Sequence, residues 1–403
     1  MFKVKGKYNV ANVYQKKALV EPSCIEQIQT LMNQEFVEGE TVRIMPDCHT
    51  GVGVCIGYTQ TLHSKKVCPS LVGVDIGCGV MVVELGKKIG SFEDLDAIIR
   101  KYVPVGTCIH EEPTCKIDFS VFRCGDKIAN KDRILRSMGT LGGGNHFIEV
   151  DRDAENNFYL VIHSGSRNLG VQVANYYQNL AYEKALSSYN LNKAKDIASM
   201  IDSYKKEGRE QEIPQKIKEM KALKPEIVKE YAYLEGSDFD DYINDMIECQ
   251  EFAFGNRMQM ADNILSHWLP EKGHWRYFET IHNYIDTVDM ILRKGAVDAQ
   301  ADKLIIPINM AEGSLICSGK SNKNMNYSAP HGAGRLMSRN DAKKNISLEE
   351  FKTSMEGIYS TCVSSNTLDE SPQAYKTIDD ILPHIKNTVE IKKIIRPVYN
   401  FKA

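Results

Sequence analysis

Asp75 and Cys78 stand three residues apart in the run Val72-Gly73-Val74-Asp75-Ile76-Gly77-Cys78-Gly79-Val80. A short apolar segment stops there at glycines, which permit a sharp turn or a close backbone approach to a ligand. On such a turn a thiol and a carboxylate can converge on one cation, the thiolate as a strong donor and the acid adding charge. Alone, the pair reads more simply as a buried cysteine beside a turn-capping aspartate. Histidine changes that reading. Of ten in the chain, His49, His146, His163, His282 and His331 lie close to Gly, Asn, Ser or Pro at expected strand ends and turns. Five imidazoles in like settings, with the Asp-x-x-Cys turn, indicate a metal centre. No Cys-x-x-Cys pair exists, so the pattern is not that of a zinc finger. Ligands gathered from distant loops instead suit a catalytic site with open coordination positions.

Phosphate handling is a second theme. Gly142-Gly143-Gly144 ahead of Asn145 could present consecutive N–H groups as an anion nest, or could be a plain hairpin or bulge. Gly319-Lys320-Ser321 imitates the end of a phosphate-binding loop. Position 314 is serine where that loop needs glycine, and no helix opener follows, so the motif is excluded. In His331-Gly332-Ala333-Gly334-Arg335 an imidazole without bulky neighbours could be ligand, base or nucleophile. Arg335 and Arg339, with Lys343 and Lys344, form the best local cationic patch, and a guanidinium fork suits phosphate oxygens. The same residues also suit a helix start with surface charges.

These groups need elements to position them. The pattern predicts a helix from Pro22 to about Gln34 and a strand over Thr41–Met45, broken by Pro46, Gly51 and Gly53. Residues 92–137 read as a helix plus an irregular connection. Phe158–Ile162 and Leu304–Ile306 read as short strands, Ser347–Tyr359 as a helix, and 377–392 as another. Over 168–269 glycine becomes sparse and apolar residues recur at three and four, which predicts a largely helical insertion with a turn near Gly208 and Pro214. The chemical residues straddle this stretch, so the expectation is one domain, 1–403, with 168–269 inserted in it.

The chain has 403 residues, 26% of them charged, and a formal net charge of −3, the composition of a soluble globular protein. The weak net charge argues against coating nucleic acid by bulk electrostatics; any such grip must come from a local patch. Eleven cysteines, an odd number without a framework spacing, suit a reduced cytosolic protein. Met1–Val10 holds three lysines and no apolar stretch of a secretory signal, so the expected location is cytoplasmic. From residues alone, the reading is a metal-dependent enzyme acting on phosphate esters.

Met45-Pro46-Asp47-x-His49-x-Gly51, Val72 to Gly79, Gly139 to Glu149, His163 to Arg167, His282-Asn283-Tyr284 and His331 to Arg335 together resemble the RtcB family of RNA-splicing and RNA-repair ligases. The resemblance runs in order over nearly the whole chain. It implies an α+β fold with mixed β-sheets around the metal site. It also implies joining of an RNA 3′-phosphate or 2′,3′-cyclic phosphate to a 5′-hydroxyl, with GTP and two Mn²⁺ ions. Carried over, Cys78 would bridge the ions, with Asp75 and His146 completing one site and His163 and His282 the other. His331 would be the nucleophile that becomes a histidine–GMP adduct, with Asp47 and His49 in support. Asn145, His146, Phe147, Ile148, Glu149, His282, Asn283, Pro307, Ile308, Asn309, Met310, Ser314, Gly332, Ala333, Gly334, Tyr375 and Lys402 would form the guanylate pocket. Arg335 and Arg339 would contact RNA or phosphate. Many members have Pro-Gly-Ser-Met where this chain has Pro307-Ile308-Asn309-Met310. The expected partners are RNA and GTP, with no membrane. The alternatives are a metal-dependent cyclic phosphodiesterase and an RNA-binding relative that does not ligate.

Overall fold

A computed structural model describes residues 1–269 and 275–402. Among these residues the chain is α+β, with three sheets. A seven-stranded antiparallel sheet runs in the spatial order Leu304–Asn309, Gly313–Gly319, Val389–Lys402, Phe147–Arg152, Phe158–Ser164, Gly79–Gly86, Arg276–Ile281. A six-stranded sheet runs Phe2–Lys5, Val10–Val13, Val42–His49, Ile56–Thr61, Ile291–Lys294, Asn283–Asp286. A two-stranded ribbon pairs Ala296–Asp298 with Ser328–Pro330.

Strand alternation divides the large sheet into two faces. Met81, Val83, Ile148, Val150, Leu160 and Ile162 pack on one side with Met260, Ile264 and Trp268 of the helix Ser237–Trp268. The opposite parity sends Val80, Phe147, Glu149 and His163 to the other face, where the register pairs His163 with both Val80 and Phe147. One face is core and the other is site.

Several expected boundaries move, for identifiable reasons. The strand expected over Thr41–Met45 continues through Pro46 to His49. Its ladder with Ile56–Thr61 shifts register between Ile44 and His49, and proline is tolerated where the ladder is already interrupted. The strand expected over Phe158–Ile162 reaches Ser164 and so carries His163. The strand at Leu304 likewise continues to Asn309, with a register shift at Pro307. The helix expected over Ser347–Tyr359 spans only Leu348–Ser354, behind a Ser347–Glu350 capping box. The helix expected over 377–392 ends at Ile385, and the 14-residue strand Val389–Lys402 follows. Its Val389, Ile391, Ile394 and Ile395 are β-branched, and partners on both edges decide in favour of strand.

Residues 168–269 contain the helices Arg167–Lys206, Ile213–Ala222 and Ser237–Trp268. The last is a buried pillar. Asn256 Oδ1 accepts from Gly139 N (2.8 Å) and Thr140 N (3.0 Å), while its Nδ2 donates to Gly165 O and Ser164 Oγ (both 3.1 Å). Arg257, fully buried, donates to Gly77 O (2.9 Å) and Ser164 O (2.8 Å) and pairs with Glu279 (2.7 Å). One helix turn thereby ties down the chain segments around Gly77, Gly139 and Ser164. Replacing Asn256 by leucine would leave several buried backbone groups unpaired, at a cost of about 3 kcal/mol. Urea unfolding of Asn256→Leu checks this, and wild-type stability would contradict the pillar role.

Candidate metal centre and adjoining cavity

Gly77 lies between Asp75 and Cys78 with φ +70°, and Cys78 N donates to Asp75 O at 3.2 Å. A left-handed residue closes this turn, and glycine adopts that conformation without strain. Cys78 Sγ comes to lie 3.4 Å from His146 Nε2 and 3.3 Å from His163 Nε2. His163 Nε2 is 3.4 Å from His282 Nε2, and His146 Nε2 is 3.0 Å from Asp75 Oδ2. Gly165 lies against the Asp75 carboxylate so closely that a Cβ there would collide with it. Cys78, His146, His163 and His282 are all buried.

The second nitrogens settle the tautomers. His146 Nδ1 lies 2.8 Å from Leu141 O and His163 Nδ1 lies 3.2 Å from Asn145 O, so each Nδ1–H donates to a backbone carbonyl. The Nε2 lone pair of neutral His163 then faces the sulfur, and Nε2 of His146 faces both the sulfur and the Asp75 carboxylate. This is the outer-shell arrangement that orients imidazole ligands on a metal. Burial pushes the His163 and His282 imidazoles well below their ordinary pKa, so both stay neutral. Burial and the Asp75 carboxylate push the Cys78 thiol up, so its thiolate needs a bound cation. The thiol proton serves at most one of the two Nε2 atoms, and the remaining lone pairs repel unless a cation sits among them. The donor set fits a transition-metal centre.

His331 adjoins the cluster, its ring centroid 5.0 Å from that of His282. Its Nδ1 lies 2.7 Å from Oδ2 of the fully buried Asp47, which also accepts from His331 N at 3.2 Å. With Nδ1 committed to the carboxylate, Nε2 is the ring nitrogen left toward the cavity. His49 Nδ1 in turn lies 2.9 Å from Asp47 O. His331 opens on a cavity of about 750 Å³. The cavity is lined by His49, Asn145, Phe147, Glu149, His163, His282, Asn283, Pro307 to Met310, Ser314, Gly332 to Arg335, Arg339, Tyr375 and Lys402. Ile148 does not share it; strand parity turns that side chain into the opposite apolar core.

Polar atoms facing the cavity are partly unsatisfied: Ser314 Oγ and Asn400 Oδ1 are buried without partners. Asn309, at the position where a serine is common in the family it resembles, caps its own turn by accepting from Ala311 N (3.0 Å) and Glu312 N (2.9 Å). Arg335 and Arg339 do not point free charges at the cavity. Arg339 pairs with Asp369 (2.7 Å) and Glu370, and Arg335 with Glu370 (3.5 Å) and the Tyr375 hydroxyl (2.8 Å). Lys402 meets the same Glu370 at 2.7 Å and donates to Asn145 O at 3.0 Å. Burial alone would raise the Glu370 carboxyl, but Lys402 and Arg339 hold it below its ordinary value. Glu370 and Asn400 had escaped sequence reasoning. For Asn400 a signal existed: it stands two residues before Lys402 in a strand, hence on the same face.

The family model described as "tRNA-splicing ligase RtcB" matches residues 27–119 and 121–403. RNA-splicing ligase RtcB of Escherichia coli strain K12 is 27% identical over 431 residues, covering 97% of this chain and 97% of that protein. tRNA-splicing ligase RtcB of Nanoarchaeum equitans is 25% identical over 498 residues, covering 99% and 96%. A second E. coli relative, RNA-splicing ligase RtcB2 of strain ATCC 25922, is 25% identical over 401 residues, covering 90% and 87%. No helix among the described residues is long and apolar enough to cross a membrane. A thiol–imidazole cluster beside a carboxylate-held histidine, on a chain matched along almost its whole length, leads to one conclusion: this chain belongs to the RtcB family.

Proposed function

We propose that this protein is an RNA ligase that joins an RNA 3′-phosphate or 2′,3′-cyclic phosphate to a 5′-hydroxyl, using GTP as co-substrate and Mn²⁺ as its metal, in RNA repair or tRNA splicing in the cytoplasm. The observation that carries this reading is His331 itself, its Nδ1 held at 2.7 Å by buried Asp47 and its other nitrogen free beside the Cys78 cluster and the cavity. Asp47 fixes the tautomer, so Nε2 is the atom able to attack phosphorus, and its carboxylate stabilises the positive charge that develops on the ring. Attack at the α-phosphate of GTP forms an Nε2–P bond and expels pyrophosphate. The GMP passes to the RNA 3′-phosphate, and the 5′-hydroxyl then displaces GMP to form the phosphodiester.

Two ions would be held by Cys78 between them, with Asp75 and His146 on one and His163 and His282 on the other, and when bound they would neutralise and align the phosphates. Asn145, Glu149, Asn283, Ser314, the Gly332–Gly334 backbone, Tyr375 and Lys402 would hold the guanylate. The buried orphan Ser314 Oγ favours this, since a ligand oxygen would satisfy it. Arg335 and Arg339, anchored by Asp369 and Glu370, would present their remaining N–H groups to RNA phosphates at the rim.

Incubation with α-labelled GTP and Mn²⁺ should leave an acid-labile label on the wild type and none on His331→Ala. Asp47→Asn should label about 100-fold more slowly, as expected where an orienting carboxylate is lost. An unlabelled wild type with intact metal binding would overturn the ligase reading in favour of a cyclic phosphodiesterase. Cys78→Ser should bind less divalent ion by calorimetry and label poorly; two stoichiometric Mn²⁺ ions in that variant would contradict a bridging thiolate. RNA affinity should fall with salt, and Arg339→Ala should flatten the log–log slope by about one unit. An unchanged slope removes Arg339 from the phosphate path.

A further inference from the structure

Asp151 is fully buried and neither carboxylate oxygen receives a hydrogen bond. A charged carboxylate in that position is untenable, because burying an unpaired charge costs far more than taking up a proton. Its cross-strand neighbours offer no cation and no free donor. Tyr159, directly opposite, gives its hydroxyl to Asp153 at 2.8 Å, and on the other side stands Pro397, which has no N–H. The polar group that Asp151 does face is Glu149, two residues earlier on the same face of the strand Phe147–Arg152.

Glu149 is differently placed. It lines the cavity, accepts from Asn400 Nδ2 at 2.5 Å, and feels the Lys402 ammonium. Burial raises both carboxyls, Asp151 the more strongly because only Glu149 confronts it, whereas Asn400 and Lys402 favour the anion at Glu149. Two acids this close hold one proton between them, and it resides on the acid without a cation. The neutral acid then becomes a donor aimed at its neighbour.

We propose that Asp151 is a neutral carboxylic acid that donates its O–H to Glu149 and so positions Glu149 as the anionic reader of two adjacent N–H donors on a purine base. This rests on the reading of the cavity as a guanylate pocket. Asp151 is therefore a positioning residue for base selection: it touches no substrate, and it sets both the charge and the direction of the group that does. A carboxylate offering two acceptors matches the adjacent ring N–H and amino group of guanine, and loses one of those contacts with hypoxanthine.

The test compares GTP with ITP, which lacks the amino group, on the full-length protein by titration calorimetry. The wild type should prefer GTP. Asp151→Asn keeps a neutral donor and should retain that preference within about threefold, whereas Asp151→Leu has none and should lose about tenfold of it. Infrared difference spectra of wild type against Asp151→Asn should show the C=O stretch of a protonated carboxylic acid, shifted by deuteration. Absence of that band, or a GTP preference undiminished in Asp151→Leu, overturns the proposal. Should Asp151→Leu not fold, the band and the wild-type-like preference of Asp151→Asn still decide. Failure of the pocket reading looks different: the wild type itself would not distinguish GTP from ITP.

Discussion

Three imidazoles, a thiol and a carboxylate converge with more lone pairs than protons to share among them, and this convergence governs the molecule. The Nδ1 protons of His146 and His163 are committed to the carbonyls of Leu141 and Asn145, so between those rings and Cys78 only the thiol proton remains, and it can serve one ring at a time. Such a cluster is stable when a cation fills it and repulsive when none does. The protein must therefore hold the cluster together from outside. It does so with Asn256 and Arg257, which hydrogen-bond from one buried helix turn to the backbone of the segments around Gly77, Gly139 and Ser164.

The same logic extends to the cavity. Asp47, a fully buried carboxylate at 2.7 Å, takes Nδ1 of His331 and leaves the other nitrogen toward the cavity. At the far wall Asp369 and Glu370 hold Arg335, Arg339 and Lys402 in fixed directions. Such preorganisation lowers the conformational cost of binding, at the expense of some free positive charge. Glu149, which accepts from Asn400 Nδ2, follows the same pattern.

What the residues determined by themselves was the chemistry. An Asp-x-x-Cys turn with a glycine inside it, histidines at strand ends, and a histidine followed by small residues are local features. Their physical meaning, a left-handed turn or an unhindered ring, does not depend on the fold. Strand parity was also written in the sequence and would have separated Ile148 from Glu149 and joined Asn400 to Lys402. The resemblance to RtcB ligases supplied roles that spacing alone leaves open.

What only the tertiary structure decided was which groups neutralise which. The Asp47–His331 pair spans 284 residues and the Lys402–Asn145 bond 257, separations across which no local pattern carries information. The tail strand Val389–Lys402 was indistinct because its β-branched residues follow a real helix, and it is fixed by partners on both edges. Arg257 of the Ser237–Trp268 helix is buried because its guanidinium meets two carbonyls and Glu279 brought there by other segments of the chain. Burial and charge pairing are properties of neighbours in space, and a chain acquires those neighbours only by folding.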